Sequence, residues 1–385
     1  MKILITSPRA PATLEWICVA LRGQHRVTLC DSLRFPIGRF LSSNVRYCRI
    51  PAPRTDFQAY QTAIKKHIAE IDLVISTCED IFYLANVSLT EAECAKCLMP
   101  ANDLLMDLHH KIKVFSRLPA TEGIGFPRSR LITQPSDIVY DNDSGEKTVL
   151  KPIFSRFGRN VIRGVTKEKA QHLEISTTYP WVQQQFITGE PLCNFAVCQH
   201  GELIANALYR PRYLLNQSAS TYFEREQEQR RQQIVAQFMR DFAEQNAFHG
   251  QVAFDFIDDG EMLWVLECNP RATSGLHLLG EALHLSETGQ LSYSEPPNLP
   301  RFYRVGASLP LLFAWSALKK RQLRALIRDY RQANDVLAGL PFYASWLAFA
   351  EVLSMSWRQG KSLSDISTFD IEYDGKNDGG NADAR

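Results

Sequence analysis

No apolar run in this chain reaches the ~20 residues that a helix needs to cross a bilayer. The two longest candidates, Leu309 to Leu318 and Phe342 to Trp357, are too short or are interrupted by Glu351. No apolar h-region with a small-residue cleavage site follows the strand-like start Met1–Thr6, so a cytoplasmic location is the expectation. Charge of one sign is also missing. The formal net charge of +1 gives no reason to expect nucleic acid as a partner, since that class carries a basic excess or stripe. Paired cysteine motifs are scarce: nine cysteines stand at irregular spacings, and only Cys94 and Cys97 form a CxxC, with His109 and His110 downstream. One pair is not the set that a structural zinc needs, and an odd count reads as reduced thiols. Finally, the first strand-like run leads into Ser7-Pro8-Arg9-Ala10-Pro11 and not into GxGxxG. The close backbone approach to a dinucleotide pyrophosphate is therefore missing, which argues against an NAD-dependent oxidoreductase.

What is present fits a globular chain of several domains, with 385 residues, 45% of them hydrophobic and 22% charged. Strand-like residues 2–6, a helix over Ala12–Arg22 and a strand over His25–Cys30 start an α/β unit, and Phe57–Glu70 with Asp72–Ser76 repeats the helix and strand. Beyond His110 the pattern predicts a helix over Lys111–Leu118, a turn over Glu122–Pro127 and strands at Arg130–Thr133, Thr148–Pro152, Val161–Ile162 and Trp181–Ile187. Strands Asn194–Val197 and Glu202–Tyr209 follow, turning at His200-Gly201, then a long polar helix over roughly Glu224–Asn246. The loop Ser155–Gly158, with Arg156 and Arg159, offers backbone N–H groups and guanidinium to an anion, or is simply a basic surface hairpin. The apolar segments after residue 300 are expected to be helices packed on the body, with a basic amphipathic membrane-surface or partner-binding segment as the minority reading.

The chemistry concentrates in Phe254 to Arg271. Two alternating strands flank Asp258-Asp259-Gly260, and with a three-residue loop Asp255, Glu267 and Asn269 share one face. Phe254, Phe256, Trp264 and Leu266 then share the opposite, buried face, and Cys268 points there too, as packing. An even-numbered loop without a bulge breaks the arrangement. Two carboxylates and an amide oxygen suit Mg2+, which leaves coordination positions for phosphate oxygens, and Arg271 adds positive charge beside them. A surface hairpin with an acidic polar face is the plain alternative.

Taken in order, Lys111, Lys151-Pro152, the Ser155–Gly158 loop, Gln184-Gln185-Phe186-Ile187-x-Gly-Glu, Asp255 and Glu267-x-Asn269-Pro270-Arg271 resemble the ATP-grasp superfamily of carboxylate-amine or carboxylate-thiol ligases, of the carbamoyl phosphate synthase large-chain kind. The resemblance covers about residues 100 to 280, and the first hundred residues look like the Rossmann-like domain that precedes the grasp. It implies an α/β and α+β fold: a Rossmann-like domain at 1–108, a small lobe with a phosphate flap at 109–182, a large lobe with the metal hairpin at 183–300, a helical extension at 301–375 and a disordered tail at 376–385. It implies ATP and Mg2+ (or Mn2+) as cofactors. Lys111 (or Lys113) and Lys151 become the nucleotide lysines, and Ser155, Arg156 and Gly158 the flap. Gln184, Gln185, Phe186 and Ile187 become the adenine hinge, and Glu190 the ribose contact. Asp255, Glu267 and Asn269 become the metal ligands. Arg271, with Lys151 and Arg210, becomes catalytic; Arg210 and Arg212 are equally readable as a carboxylate clamp or as surface charge. The implied reaction activates a carboxylate as an acylphosphate that an amine or thiol then attacks. A phosphotransferase or a nucleotide-binding module without turnover are the competing classes. Small-molecule carboxylate and amine are the implied partners, and a homodimer is a common arrangement among such proteins.

Overall fold

The computed structural model describes residues 1–154, 161–215 and 219–375. Strands β1 (Lys2–Thr6), β2 (Arg26–Asp31), β3 (Val45–Arg49) and β4 (Leu73–Ser76) form a parallel sheet in the order β3-β2-β1-β4. Helices Thr13–Arg22 and Phe57–Ile68 make the crossovers, as their apolar spacing requires. In the second, the Asp56 side chain caps the Ala59 N–H, and Tyr60, Ile64 and Ile68 bury one stripe. The strand order reverses beside β1, where doubly wound sheets bind ligands. Here the chain fills that crevice itself: the Arg9 guanidinium is buried against Asp31 and, at 2.6 Å, against Asp370.

Next come β5 (Ile124–Gly125), β6 (Ser129–Ile132), β7 (Thr148–Pro152), β8 (Ile162–Arg163) and β9 (Trp181–Gln185). The last four make a small antiparallel sheet in the order β6-β9-β7-β8 over a core of Ile132, Leu150, Val165 and Trp181. Strands β10 (Glu190–Gln199), β11 (Glu202–Leu215), β12 (Ala219–Arg225), β13 (Gly250–Asp258) and β14 (Leu263–Asn269) belong to a third, larger sheet. A two-stranded hairpin, β15 (Leu283–Leu285) with β16 (Leu291–Tyr293), stands apart, and β17 (Phe302–Arg304) and β18 (Asn334–Asp335) return to the large sheet, whose order is β18-β17-β12-β11-β10-β13-β14-β5.

The period of two along β10 places this sheet between two layers. Leu192, Ala196 and Cys198 face the helix Gln229–Gln245 through Val235, Phe238 and Phe242, whereas Phe195 and Val197 join Ile3, Ile5 and Trp16 of the first unit. A buried relay seals the second contact: Trp16 Nε1 donates to Gln251 Oε1 at 2.6 Å, and Gln251 Nε2 donates to the Ser76 carbonyl at 3.0 Å.

Several sequence expectations shift. The helix expected at Lys111–Leu118 is divided: an α-helix ends at His109, a 3-10 turn covers Lys113–Arg117, and Lys111 lies in the break. Ile124–Gly125, expected as turn, pairs in parallel with β14. Residues 219–225, of which the last two were assigned to the polar helix, are a strand because Ala219, Ser220 and Tyr222–Arg225 pair with β11, so the helix starts only at Gln229. The region after 300 is not purely helical, since β17 and β18 extend the large sheet. Its last part returns to the N-terminal unit, where Arg54 meets Asp374 at 2.7 Å and Tyr373 packs its ring against Phe82, Tyr83 and Phe154. The segment from residue 376 onward, expected as a disordered tail, lies outside the described residues.

Candidate functional site

The hairpin β13–β14 closes with Asp258 paired to Leu263, so its loop has four residues, Asp259–Met262. Asp259 Oδ1 accepts from the Glu261 and Met262 N–H groups, and Gly260 takes φ +97°, which favours glycine. An even loop reverses side-chain parity, and a bulge restores it. The register passes from Phe256 opposite Val265 to Asp255 opposite Glu267, leaving Leu266 as the extra residue. Asp255, Glu267 and Asn269 therefore share a face as expected, by a different route. The apolar side is corrected: Phe254 and Phe256 are buried with Leu263, Val265 and Cys268, while Trp264 and Leu266 stay half-exposed.

Three cationic side chains converge on this face from different elements. Lys111 is buried, donates from Nζ to the Ile153 carbonyl at 3.3 Å and lies 3.9 Å from Glu267 Oε2. Lys113 stays on the surface beside Asp107. Lys151 is buried, and its Nζ donates to Gln184 Oε1 at 2.8 Å. Arg271 donates from Nε to Glu79 at 2.6 Å and from Nη2 to Asn269 Oδ1 at 3.1 Å. Glu79, from the turn after β4, was given no role from sequence. Its only sequence signal was its position in Ser76-Thr77-Cys78-Glu79-Asp80, and the contact it makes is 192 residues away along the chain.

The electrostatics follow from this crowding. Burial, then the facing Glu267, pushes the Asp255 carboxyl up to about 7. Burial works the same way on Glu267, but Lys111 and Lys151 outweigh it and hold that carboxyl below the usual range. Both lysines are drawn below their ordinary value by burial, with Glu267 and Asp255 opposing. The Cys193 thiol, raised by burial, hydrogen-bonds Asp255 from the neighbouring strand. Two carboxylates held against each other with an amide oxygen alongside form a donor set that fits a hard divalent cation, whose charge would relieve their repulsion.

The other predicted residues take separate places. Gln184 is buried and serves Lys151, with its amide donating to Ser129 Oγ at 3.2 Å. Gln185 accepts from the Arg128 N–H at 3.3 Å. The Phe186 N–H is committed to the Lys147 carbonyl at 3.0 Å, its ring stands exposed, and Ile187 beside it is half-buried. Glu190 and Arg210, expected in different roles, pair with each other at 3.2 Å. Around them Arg210 meets Glu226 at 2.9 Å, and Arg231 meets Glu190 at 2.9 Å and Asp258 at 2.6 Å. Arg212 is held by Glu224 and Asp329. Ser155, Arg156 and Gly158 lie outside the described residues, but the approach to them is anchored: Phe154 packs between His109 and Tyr373, with ring centroids 5.2 and 6.1 Å away.

Residues 109–275 match the family model of the ATP-grasp domain. Comparison with curated proteins finds no significant match. Solved structures share the fold at low identity. N5-carboxyaminoimidazole synthetase from Staphylococcus aureus superposes with a TM-score of 0.59 at 14% identity, over 82% of this chain and 85% of that one. Carboxyaminoimidazole ribonucleotide synthase from Aspergillus clavatus, complexed with ATP, gives 0.58 at 15%, over 82% and 86%. L-amino acid ligase from Bacillus licheniformis gives 0.54 at 16%, over 73% and 70%. The fold expected from sequence, a parallel N-terminal unit followed by the grasp and a helix-rich C-terminal region, agrees with these similarities.

Proposed function

On the premise that residues 109–275 are an ATP-grasp domain, we propose that this protein is an ATP- and Mg2+-dependent ligase that couples a carboxylate to an amine or thiol and releases ADP and phosphate. The observation that carries the reading is the facing pair Asp255 and Glu267, with Lys111 and Lys151 brought around it from distant elements and Arg271 just beyond the same strand. Asp255, Glu267 and Asn269 would hold the metal ion, which when bound neutralises phosphate charge. Lys111 and Lys151 bind and orient the triphosphate, and burial keeps their charges undiluted by water.

The substrate carboxylate attacks the γ-phosphorus, the bond from that phosphorus to the bridging oxygen breaks, and ADP leaves with the electron pair. Arg271 faces the transferred phosphoryl group and the resulting acylphosphate. An amine then adds to the acyl carbon, phosphate departs with the carbon–oxygen pair, and the amine gives up its proton. No protein nucleophile is needed, because positioning and charge do the catalysis. The acylphosphate hydrolyses readily, so the reaction needs a site closed to water. Phe186 and Ile187 meet the adenine, and Glu190, already ordered by Arg210 and Arg231, meets the ribose. Arg210 in turn is the candidate for a substrate carboxylate. ATP supply and reduced thiols make the cytoplasm the expected compartment.

The test is purified protein with ATP, Mg2+, a panel of carboxylic acids and hydroxylamine. Hydroxamate together with ADP is the expected result. ADP with a stable phosphorylated product would assign a phosphotransferase, and failure to bind ATP would remove both. Glu267→Gln should lose most turnover, and wild-type turnover in that variant would refute the assigned site.

A further inference from the structure

The region after residue 300 has an amphipathicity turned inside out. In the helix Phe342–Gln359 the inward positions are Ala344, Ala348, Glu351 and Met355. Glu351 fixes that orientation by accepting from the Arg34 and Phe35 N–H groups at 2.7 Å each. The large residues Phe342, Trp346, Phe349, Leu353 and Trp357 recur at helical spacing on the other side, and the first, second and last are 83%, 68% and 85% exposed. The helix Ser308–Lys319 is apolar all round: Leu309 and Ala317 are buried, while Leu311 and Trp315 stand 80% and 68% exposed. The expectation that these helices pack on the body is thus only half met. A surface this apolar on a water-exposed chain marks an interaction site.

Charge selects the occupant. Residues 301–361 hold ten Lys and Arg against three acidic residues, in a chain whose formal net charge is only +1. All three acids are committed inside the fold: Asp329 to Arg212, Asp335 to Arg304, and Glu351 to backbone N–H groups. The basic and apolar groups interleave, with Lys319 Nζ 5.2 Å from the centre of the Trp315 ring and Ile327 set among Arg324, Arg328 and Arg331 in an open groove. Arg324 and Arg331 make no ion pair among the described residues. A second copy of this face would bring like charges together. Tryptophans with flanking lysines and arginines match an anionic lipid surface, where indoles settle at headgroup depth and basic side chains meet lipid phosphates. Among the described residues no helix is long and apolar enough to cross a membrane, so contact is from one side.

We infer that the helices at 308–332 and 342–359 dock the protein on the surface of an anionic lipid bilayer. The full chain is floated with vesicles of phosphatidylcholine alone and of an equal mixture with phosphatidylglycerol. Binding to the mixed vesicles only, weakened by salt, is expected. Trp315→Ser with Trp357→Ser, and separately Arg324→Glu with Arg331→Glu, should each lower it about tenfold or more. All four side chains are exposed, so melting temperature and ATP binding should stay unchanged in these variants. No binding to either vesicle overturns the inference, as does equal binding to both. A dimer in solution that these substitutions dissociate also overturns it. ATP binding and hydroxamate formation are read in the same preparations, so failure on vesicles is separable from failure of the ligase reading.

Discussion

Replacing Asp255 by Asn should make the protein more stable and inactive at once. Asp255 faces Glu267 across the bulged hairpin, and its carboxyl is raised to about 7, by burial first and Glu267 second. A carboxyl whose folded pKa lies above its unfolded value binds its proton more tightly when folded. It therefore costs stability in full above the folded pKa, and the cost shrinks as pH falls from about 7 and is gone only below the ordinary carboxylate value of about 3.9. Two unit charges about 4 Å apart repel by about 4 kcal/mol at an effective dielectric of about 20. Lys111, Lys151 and Arg271 offset much of this, leaving a net cost of about 1–2 kcal/mol at pH 8 on the same scale. At about 2–4 °C per kcal/mol for domains of about 150–250 residues, Asp255→Asn should melt about 2–8 °C higher than wild type at pH 8 without ligand. Near pH 4 the carboxyl is protonated in the folded protein and largely so in the unfolded chain, and the two curves should converge. Mg2+ with ATP should raise the wild-type melting temperature and leave the variant nearly unmoved, because only the wild type has the full ligand set. Thermal melts at the two pH values, with and without Mg2+ and ATP, read all three. A variant that melts lower than wild type by the same amount at both pH values would refute the reasoning, since Asp255 would then be a structural hydrogen-bond acceptor and not a strained ligand.

Other outcomes follow from single contacts. Gln184→Leu removes the acceptor of the buried Lys151 Nζ, and should raise KM for ATP about tenfold in a steady-state assay, as expected for loss of a bond to a charged group worth about 1.5–3 kcal/mol. Glu79→Ala strips Arg271 of its 2.6 Å partner; because Arg271 keeps Asn269, a cost of about 2–4 kcal/mol in denaturant unfolding is expected, with at least part of turnover restored by Glu79→Asp. Gln251→Leu interrupts the relay from Trp16 to Ser76 and should cost about 1–3 kcal/mol in the same experiment, leaving KM for ATP unchanged.

The legible parts of this chain were those written in local pattern. The crossover helices declare themselves by the spacing of Tyr60, Ile64 and Ile68, and the carboxylate face by alternation along β13 and β14. What failed had no local signature. Whether the hairpin loop holds three or four residues depends on Asp259 accepting two backbone N–H groups, and the compensating bulge at Leu266 depends on packing Val265 and Cys268 on one side. Glu224 and Arg225 read as the start of a polar helix because β11, which pairs with them, is set by the sheet and not by their own composition. Glu79 and Gln251 acquire meaning only when the first unit is laid against the large sheet. Lys111, with Lys113 as the alternative, was singled out by order in the motif, whereas its release from the preceding helix comes from His110, whose extended backbone ends that helix.

The pairing of Arg9 with Asp370 spans 361 residues, and this gives the nascent chain an unusual timetable. At roughly 5–20 residues per second, the carboxylate that completes this crevice is added roughly 15–60 s after Ser76, the last residue of the parallel sheet. During that interval Arg9 has only Asp31 as a carboxylate partner, with Ser32 Oγ beside it, and the ring pocket formed by Phe82, Tyr83 and His109 lacks Tyr373. The parallel sheet is thus finished only once Asp370 and Tyr373 have been made, and a premature stop anywhere before residue 370 damages residues 2–76 as well as what lies beyond the stop.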